Sequence, residues 1–281
     1  MTTIAKEIRT KGNTLMKNYD CEVVIKPSNK GVIRLFVKQE DKSLEACVDN
    51  VIATDHWVQL GSRNNRTLLG GYKYKVGLCE HFMAACSFLG LNSIDVYLSE
   101  EEFPVFDGSS KEWVRLFNEA GLVDKPKKRQ FYTVKEPVYY LNGKTSMVIL
   151  PDNDLNITYS VNYDHDDLRH QWVSFDKKNA EEIIEARTFG FYKDLKKFQM
   201  LGFAQGVTID NTVGLTDEGY TTELRSEKEP IKHKLLDLFG DIFQTGVSPL
   251  DMKCQILVKE AGHAVHIKVA KILKDKLVKV K

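Results

Sequence analysis

The sequence is short of the features that mark several whole classes of protein. It has no apolar run near the ~20 residues of a membrane span; SMVIL and FMAAC are typical of its longer ones. It has no excess of one charge, since 40 Lys and Arg stand against 39 Asp and Glu. That balance excludes disorder driven by charge and gives no nucleic-acid footprint over the chain as a whole, so no nucleic-acid partner is expected. Cysteine is sparse: Cys21, Cys47, Cys79, Cys86 and Cys254 are scattered, odd in number and never spaced CxxC. This argues against both a disulfide framework and a thiolate zinc site, and fits a reducing compartment. The first residues, MTTIAKEIRTKGN, lack the basic start and apolar block of a secretory signal. A cytoplasmic protein with no transmembrane segment is expected.

What is present is enough chain for about two domains: 281 residues, 42% of them hydrophobic. Composition changes once, at Asp124 to Gln130, DKPKKRQ, which is charged, contains a proline and carries no apolar periodicity. The reading is a first domain over 1–124 and a second over 131–281, joined by a linker at 125–130. KPKKR could alternatively bind nucleic acid, but no aromatic residues interleave it.

Both halves mix strands and helices. In the first, CEVVIKP and GVIRLFVKQ alternate and predict a hairpin, EHFMAACSFLG predicts a helix ended by Gly90, SIDVYLSE a strand, and KEWVRLFNEAG a helix ended by Gly121. In the second, FYTVKEPVYYL, TSMVILP and LNITYSVNY predict strands, KNAEEIIEA and YKDLKKFQMLG helices, and HKLLDLFGDIFQTG a helix before the strand DMKCQILVK. Helix, glycine, strand thus occurs at 80–98 and again at 231–259, which suggests a duplicated α+β unit. The closing KVAKILKDKLVKVK, with Val269, Ile272, Leu273 and Leu277 apolar, predicts an amphipathic helix whose lysines form a wet face.

The residues that could carry chemistry begin with His233 and Asp237 in PIKHKLLDLFGD. Four residues apart on a helix, imidazole and carboxylate lie on one face, and Asp241 continues the stripe. Alone, such a pair is more often an ion pair on a surface helix. A third group is available in His81, which follows Glu80 at the start of an otherwise apolar helix. His81, His233 and Asp237 would give zinc three N/O ligands and leave its fourth position to water, the pattern of a catalytic site. Glu80 is then a candidate base, and His263, in the turn AGHAVH, a candidate acid.

CEHF, FPVFDGSS, EARTFGF, IKHKLLDLFGD and AGHAVH, in that order and at these spacings, resemble the UDP-3-O-acyl-N-acetylglucosamine deacetylases of bacterial lipid A synthesis. The likeness is dense from Leu78 to about Ala270, including YDHDDLRHQWVSFD, and thin over the first 77 residues. It implies two similar α+β domains packed face to face with one zinc between them. It also implies that His81, His233 and Asp237 are the metal ligands, Glu80 the general base and His263 the second catalytic group, with Asp241 holding that imidazole charged. Thr188 matches a hydroxyl that steadies the oxyanion, and Lys234 a lysine that touches substrate. The segment from Phe189 to about Val213 matches an insert that forms a passage for the acyl chain. Phe189, Phe191, Phe198, Met200, Leu201 and Phe203 would supply its apolar surface, and Gly206 is a substrate-binding position where a larger side chain would narrow it. Core packing explains these aromatics equally well. The implied partner is a UDP-linked acylated amino sugar, with membrane-surface contact at most transient and a monomeric chain.

The sequence departs from the family where GxGLH becomes GNTLM, Gly12 to Met16, and where Gly77, Leu78 and Cys79 precede Glu80. Residues 61–77 look like a lengthened loop. These departures bear on specificity more than on metal chemistry, and they leave open a paralogue acting on another nucleotide sugar or a zinc-dependent binding protein without turnover. His56 is a further candidate for the site wall, Asp164, His165, Asp166 and Asp167 for a second metal site, and Cys79 for a reactive thiol; a structural role is at least as good a reading of each.

Overall fold

The computed structural model describes residues 1–38, 42–55, 57–61, 74–124 and 129–280. His56, most of the 61–77 loop and the core of the charged linker lie outside the described residues. The first half runs β1 (Thr2–Ile4), β2 (Ile8–Asn13), β3 (Asp20–Pro27), β4 (Ile33–Val37), β5 (Leu44–Glu45), β6 (Val51–Ala53), β7 (Gln59–Gly61), β8 (Lys75–Val76), α1 (Glu80–Leu89), β9 (Ile94–Leu98), α2 (Lys111–Ala120) and β10 (Leu122–Asp124). The second runs β11 (Tyr132–Val134), β12 (Val138–Asn142), β13 (Thr145–Pro151), β14 (Asn156–Val161), β15 (Gln171–Phe175), α3 (Ala180–Ile184), β16 (Thr188–Phe191), α4 (Tyr192–Met200), β17 (Thr212–Thr216), β18 (Gly219–Tyr220), α5 (Glu229–Phe243), β19 (Cys254–Lys259), α6 (His263–Lys276) and β20 (Leu277–Lys279).

The two halves repeat one topology. Five strands order as β2-β3-β9-β4-β5 in the first and β12-β13-β19-β14-β15 in the second. In each the strand after the central helix enters the middle, antiparallel to one neighbour and parallel to the other. Each half also closes a short ladder between its ends, β1 on β10 and β11 on β20, and carries a three-stranded insert, β6-β7-β8 and β16-β17-β18. The duplicated unit expected from helix, glycine and strand is therefore present.

Two expectations fail here. CEVVIKP and GVIRLFVKQ do not form a hairpin, because β9 lies between β3 and β4. Alternation reports which face of a strand is buried, not which strand is its neighbour. The final helix starts earlier than expected, at His263, and stops at Lys276, and Leu277 belongs to β20. Leu277, Val278 and Lys279 pair instead with Val134, Thr133 and Tyr132 of β11.

Between the sheets, α1 packs on α5. All but the last two residues of α1 are buried, which is why its apolar pattern is nearly continuous. Phe82 stacks on Phe103 at 4.6 Å and meets Trp113 edge-on at 5.1 Å, with Phe117 at 5.7 Å, so the start of α1 is fixed against α2. A truncation such as Phe82→Ala would cost about 3–5 kcal/mol. Gly90 ends α1 in the left-handed region, φ 64°, donating to the Cys86 and Ser87 carbonyls.

Candidate active site

Residues from both halves meet where the N-terminus of α1 faces the middle of α5 and the first turn of α6. Glu80 and His81 open α1; His233, Lys234, Asp237 and Asp241 lie on α5; His263 begins α6. The FDGSS segment braces this junction. The Ser110 hydroxyl donates to the His81 carbonyl at 2.7 Å, and the Gly108 carbonyl accepts from the Thr188 N–H at 2.8 Å. Gly108, φ 81°, lies so close to the Asn211 carbonyl that any side chain would overlap it. The arginine of EARTFGF is structural: Arg187 makes a buried fork on Glu229, 2.9 and 3.1 Å, at the start of α5.

His81, His233 and Asp237 converge, their ligand-type atoms all lying within 4.8 Å of one another. Asp237 Oδ1 is 3.4 Å from His233 Nε2 and 3.8 Å from His81 Nε2. The atom is buried and has no hydrogen-bond partner among the described residues. An uncompensated carboxylate oxygen there is costly, and a cation between the three groups would satisfy it. The protonation states agree. Burial, reinforced by His233, brings the His81 pKa down to about 3, and burial also lowers His233. Burial opposes the charge on Asp237, yet the Lys234 ammonium and the protonated His263 hold its pKa below the ordinary carboxylate range. His233 Nδ1 donates to the Ala186 carbonyl at 2.9 Å, which leaves Nε2 bare and aimed at Asp237. Two neutral imidazoles and one carboxylate are a donor set that suits zinc.

Glu80 and His263 stand across this cluster. His263 Nε2 is 3.8 Å from Glu80 Oε1 and 3.8 Å from Asp237 Oδ2. Burial raises the Glu80 pKa to about 8, aided by Asp237 and Asp241 and opposed by His263. Burial works against the charge on His263, but the Asp241 and Asp237 carboxylates carry its pKa up to about 9. Asp241 Oδ2 accepts from His263 Nδ1 at 2.8 Å. Lys234, expected to touch substrate, donates to Asp237 Oδ2 at 2.6 Å.

A cavity of about 390 Å³ exposes these groups, with Thr188, Phe189, Phe191 and Tyr163 on its wall. A neighbouring cavity of about 480 Å³ shares Leu15, Met16 and Thr188 to Phe191 with it and continues along the β16–α4–β17 insert past Phe198, Phe203, Ala204 and Val207. Gly206 is a correction: it does not line this cavity, and a side chain there would overlap the Thr14 carbonyl, so it is a docking point of the insert. Met200 and Leu201 are also outside the wall, 81% and 64% exposed. Asp164 to Asp167 gather no ligand set among the described residues: Asp164 pairs with Arg169 and His165 Nε2 lies 2.9 Å from the Gly219 carbonyl. Cys79 is buried on the Val58 carbonyl with its thiol pKa raised by burial, so it is not a poised nucleophile. His266 and Tyr159 were not legible as site residues. Both are buried beneath Asp241, and the one available signal was the spacing of His266, one helical turn after His263.

The family described as UDP-3-O-acyl N-acetylglycosamine deacetylase matches the chain over residues 1–275. Proteins named UDP-3-O-acyl-N-acetylglucosamine deacetylase are similar to it. One from Leptospira biflexa is 33% identical over 226 residues, 79% of this chain and 73% of the relative. One from a Nostoc species is 28% identical over 277 residues, 95% and 96% of the two chains, and one from Campylobacter jejuni 29% over 282 residues, 98% and 92%. No helix among the described residues is long and apolar enough to cross a membrane.

Proposed function

The chain belongs to the UDP-3-O-acyl N-acetylglycosamine deacetylase family, and on that premise we propose that it hydrolyses the 2-acetamido group of UDP-3-O-acyl-N-acetylglucosamine, releasing acetate, in the cytoplasmic part of lipid A biosynthesis. The observation that carries the reading is the orphaned Asp237 Oδ1, faced by His233 Nε2 and His81 Nε2 with Glu80 and His263 alongside.

In this reading His81, His233 and Asp237 hold one zinc, which when bound supplies a Lewis acid that brings water toward a pKa near ~7 and polarises a carbonyl. Glu80, in the carboxylate form that a dication beside it would favour against its burial, takes the proton of the water that attacks the amide carbon. Its Oε2 accepts from the Val58 N–H at 3.1 Å, which turns Oε1 toward His263 and the cavity. Thr188 donates its hydroxyl hydrogen to the oxygen that gains charge. His263, kept protonated at neutral pH by Asp241, gives the Nε2 proton to the departing nitrogen as the C–N bond breaks, so acetate and the free amine leave. Lys234 stays on Asp237 until substrate phosphate or carbonyl oxygen competes for it. Phe189 and Phe191 form the wall where the two cavities join, and the insert beyond them takes the acyl chain.

A deacetylase for another nucleotide sugar is the second reading. It is favoured by Leu15 and Met16 of the altered GNTLM segment, which line both cavities at their junction. A binding protein without turnover would have no use for the Glu80–His263 pair. Acetate release from UDP-3-O-acyl-N-acetylglucosamine and from UDP-N-acetylglucosamine by zinc-loaded protein decides. Turnover of the first alone supports the main reading, and turnover of neither with retained binding overturns it.

A further inference from the structure

We propose that Tyr159 and His266 are positioning residues for this deacetylation: together they fix both supports of His263, the Asp241 carboxylate and the turn that leads into α6. The inference rests on the function proposed above.

Asp241 offers one oxygen to two imidazoles. Oδ2 is 2.8 Å from His263 Nδ1 and 2.8 Å from His266 Nδ1, while Oδ1 has no hydrogen-bond partner among the described residues. A carboxylate oxygen only accepts, so both nitrogens carry hydrogen. A carboxylate held by a single donor can still turn about its terminal torsion. Two donors one helical turn apart on α6 converge on the same oxygen and leave one orientation. The tautomer of His263 follows from that orientation, because Nδ1–H is fixed on Asp241 and Nε2 is committed to the cavity.

His266 is held from behind. Its Nε2 lies 2.9 Å from the Tyr159 hydroxyl oxygen, which is also 2.8 Å from the Ala261 carbonyl, and the one phenolic hydrogen is shared between these two acceptors. Ala261 is in the turn between β19 and α6, where Glu260 adopts φ 48°, a conformation that a non-glycine residue keeps only when its surroundings impose it. The phenol therefore ties the side chain that steadies Asp241 to the backbone that aims His263. Tyr159 and His266 are both at 0% exposure, and neither lines the catalytic cavity, so neither can touch substrate. A tyrosine and a histidine are costly occupants of a position that core packing alone would fill with apolar side chains, since each brings polar atoms that must be matched.

The test compares His266→Ala, His266→Asn and Tyr159→Phe in the zinc-loaded full chain. In His266→Ala, kcat should fall about tenfold or more at unchanged KM; in His266→Asn, whose amide can donate from the position of Nδ1, it should return to within about threefold of the parent. Tyr159→Phe, which removes one oxygen and keeps the ring, should lower kcat about threefold at unchanged KM. A readout independent of turnover is the His263 Nδ1–H resonance in the metal-free protein: slow to exchange in the parent and in His266→Asn, fast in His266→Ala. Parent-like kcat in His266→Ala, or a loss that His266→Asn does not restore, would overturn the positioning role. If the parent releases no acetate, the proposed function fails, and the exchange measurement alone decides whether His266 orders His263.

Discussion

Gly240 of α5 rests directly on the Glu80 carbonyl at the start of α1. A methyl group there would overlap that oxygen and stand 2.9 Å from its carbon and 3.1 Å from the Ala84 nitrogen. The close approach brings His81 to His233 and Asp237, because the two helices can cross this near only where one lacks a side chain. Gly240→Ala must separate the helices or bend them. Overpacking of this kind costs about 1–3 kcal/mol, and here more, since backbone meets backbone. The variant should show a lowered melting temperature together with weakened zinc binding. A stable protein with normal zinc affinity would mean that the crossing does not set the site.

Zinc binding itself should depend on three residues. Replacing His81, His233 or Asp237 by Ala should remove the one metal per chain, as measured by bound zinc after gel filtration, and His165→Ala should not. Chelation should abolish turnover but leave the chain folded, because the apolar core of both sheets is built from side chains other than the three proposed ligands. Adding zinc back should raise the melting temperature, since binding to the native state alone stabilises it by about 2.7 kcal/mol at a hundredfold excess over Kd. A His233→Ala protein with full zinc would sink the ligand assignment.

Glu80→Ala and His263→Ala should each lower kcat by roughly 10²- to 10⁴-fold with zinc retained, the usual worth of a positioned proton-transfer group. The double variant should be little worse than either single one, because the two groups act on one water and one amide. Additive losses would assign them to separate steps.

The gathering of the candidate site residues was more legible than the topology. His233 and Asp237 are four residues apart on one helix, and helical periodicity is local, so their shared face could be read directly. Glu80 and His81 drew notice as charge in an apolar helix. Pairing partners are not local. β3 and β4 follow one another in the chain, yet β9 separates them, and no pattern within either strand reports that. Gly206 was misplaced for a similar reason: its neighbour Thr14 is far away in sequence. Tyr159 carries no local signal and His266 only its spacing from His263, because a contact between residues 107 apart has no local pattern.

Stability should fall between about pH 4.5 and 7 for a reason unrelated to the metal. Glu102, at 9% exposure, has its pKa raised from 4.5 to about 7 by burial, against hydrogen bonds from the Met16 and Leu15 backbone. The native state keeps this proton where the unfolded chain has lost it. The contribution is thus complete below pH 4.5 and is lost as pH rises through 7, a loss on the order of 3 kcal/mol at about 1.36 kcal/mol per unit. Glu102→Gln, which cannot ionise, should flatten that part of the stability profile in urea titrations. An unchanged slope would move the proton to another group.

The insert makes the last prediction, and it separates a passage for an acyl chain from plain packing. Each enclosed methylene is worth about 0.8 kcal/mol, so four give about 3 kcal/mol, a factor on the order of 10² in kcat/KM. A long-chain substrate should exceed the unacylated sugar nucleotide by at least that. The place to narrow the passage is Val207, which lines the larger cavity together with Phe198 and Phe203, not Gly206, which lies on the Thr14 backbone. Val207→Trp should erase the long-chain advantage and leave the slow reaction on the unacylated substrate nearly intact, because the cavity that holds Glu80 and His263 does not include Val207. A larger residue at Gly206 should instead loosen the insert from Thr14 and harm both substrates together with the melting temperature. If Val207→Trp behaves in that second way, the aromatics of the insert are core, and the substrate reading shifts to an unacylated nucleotide sugar.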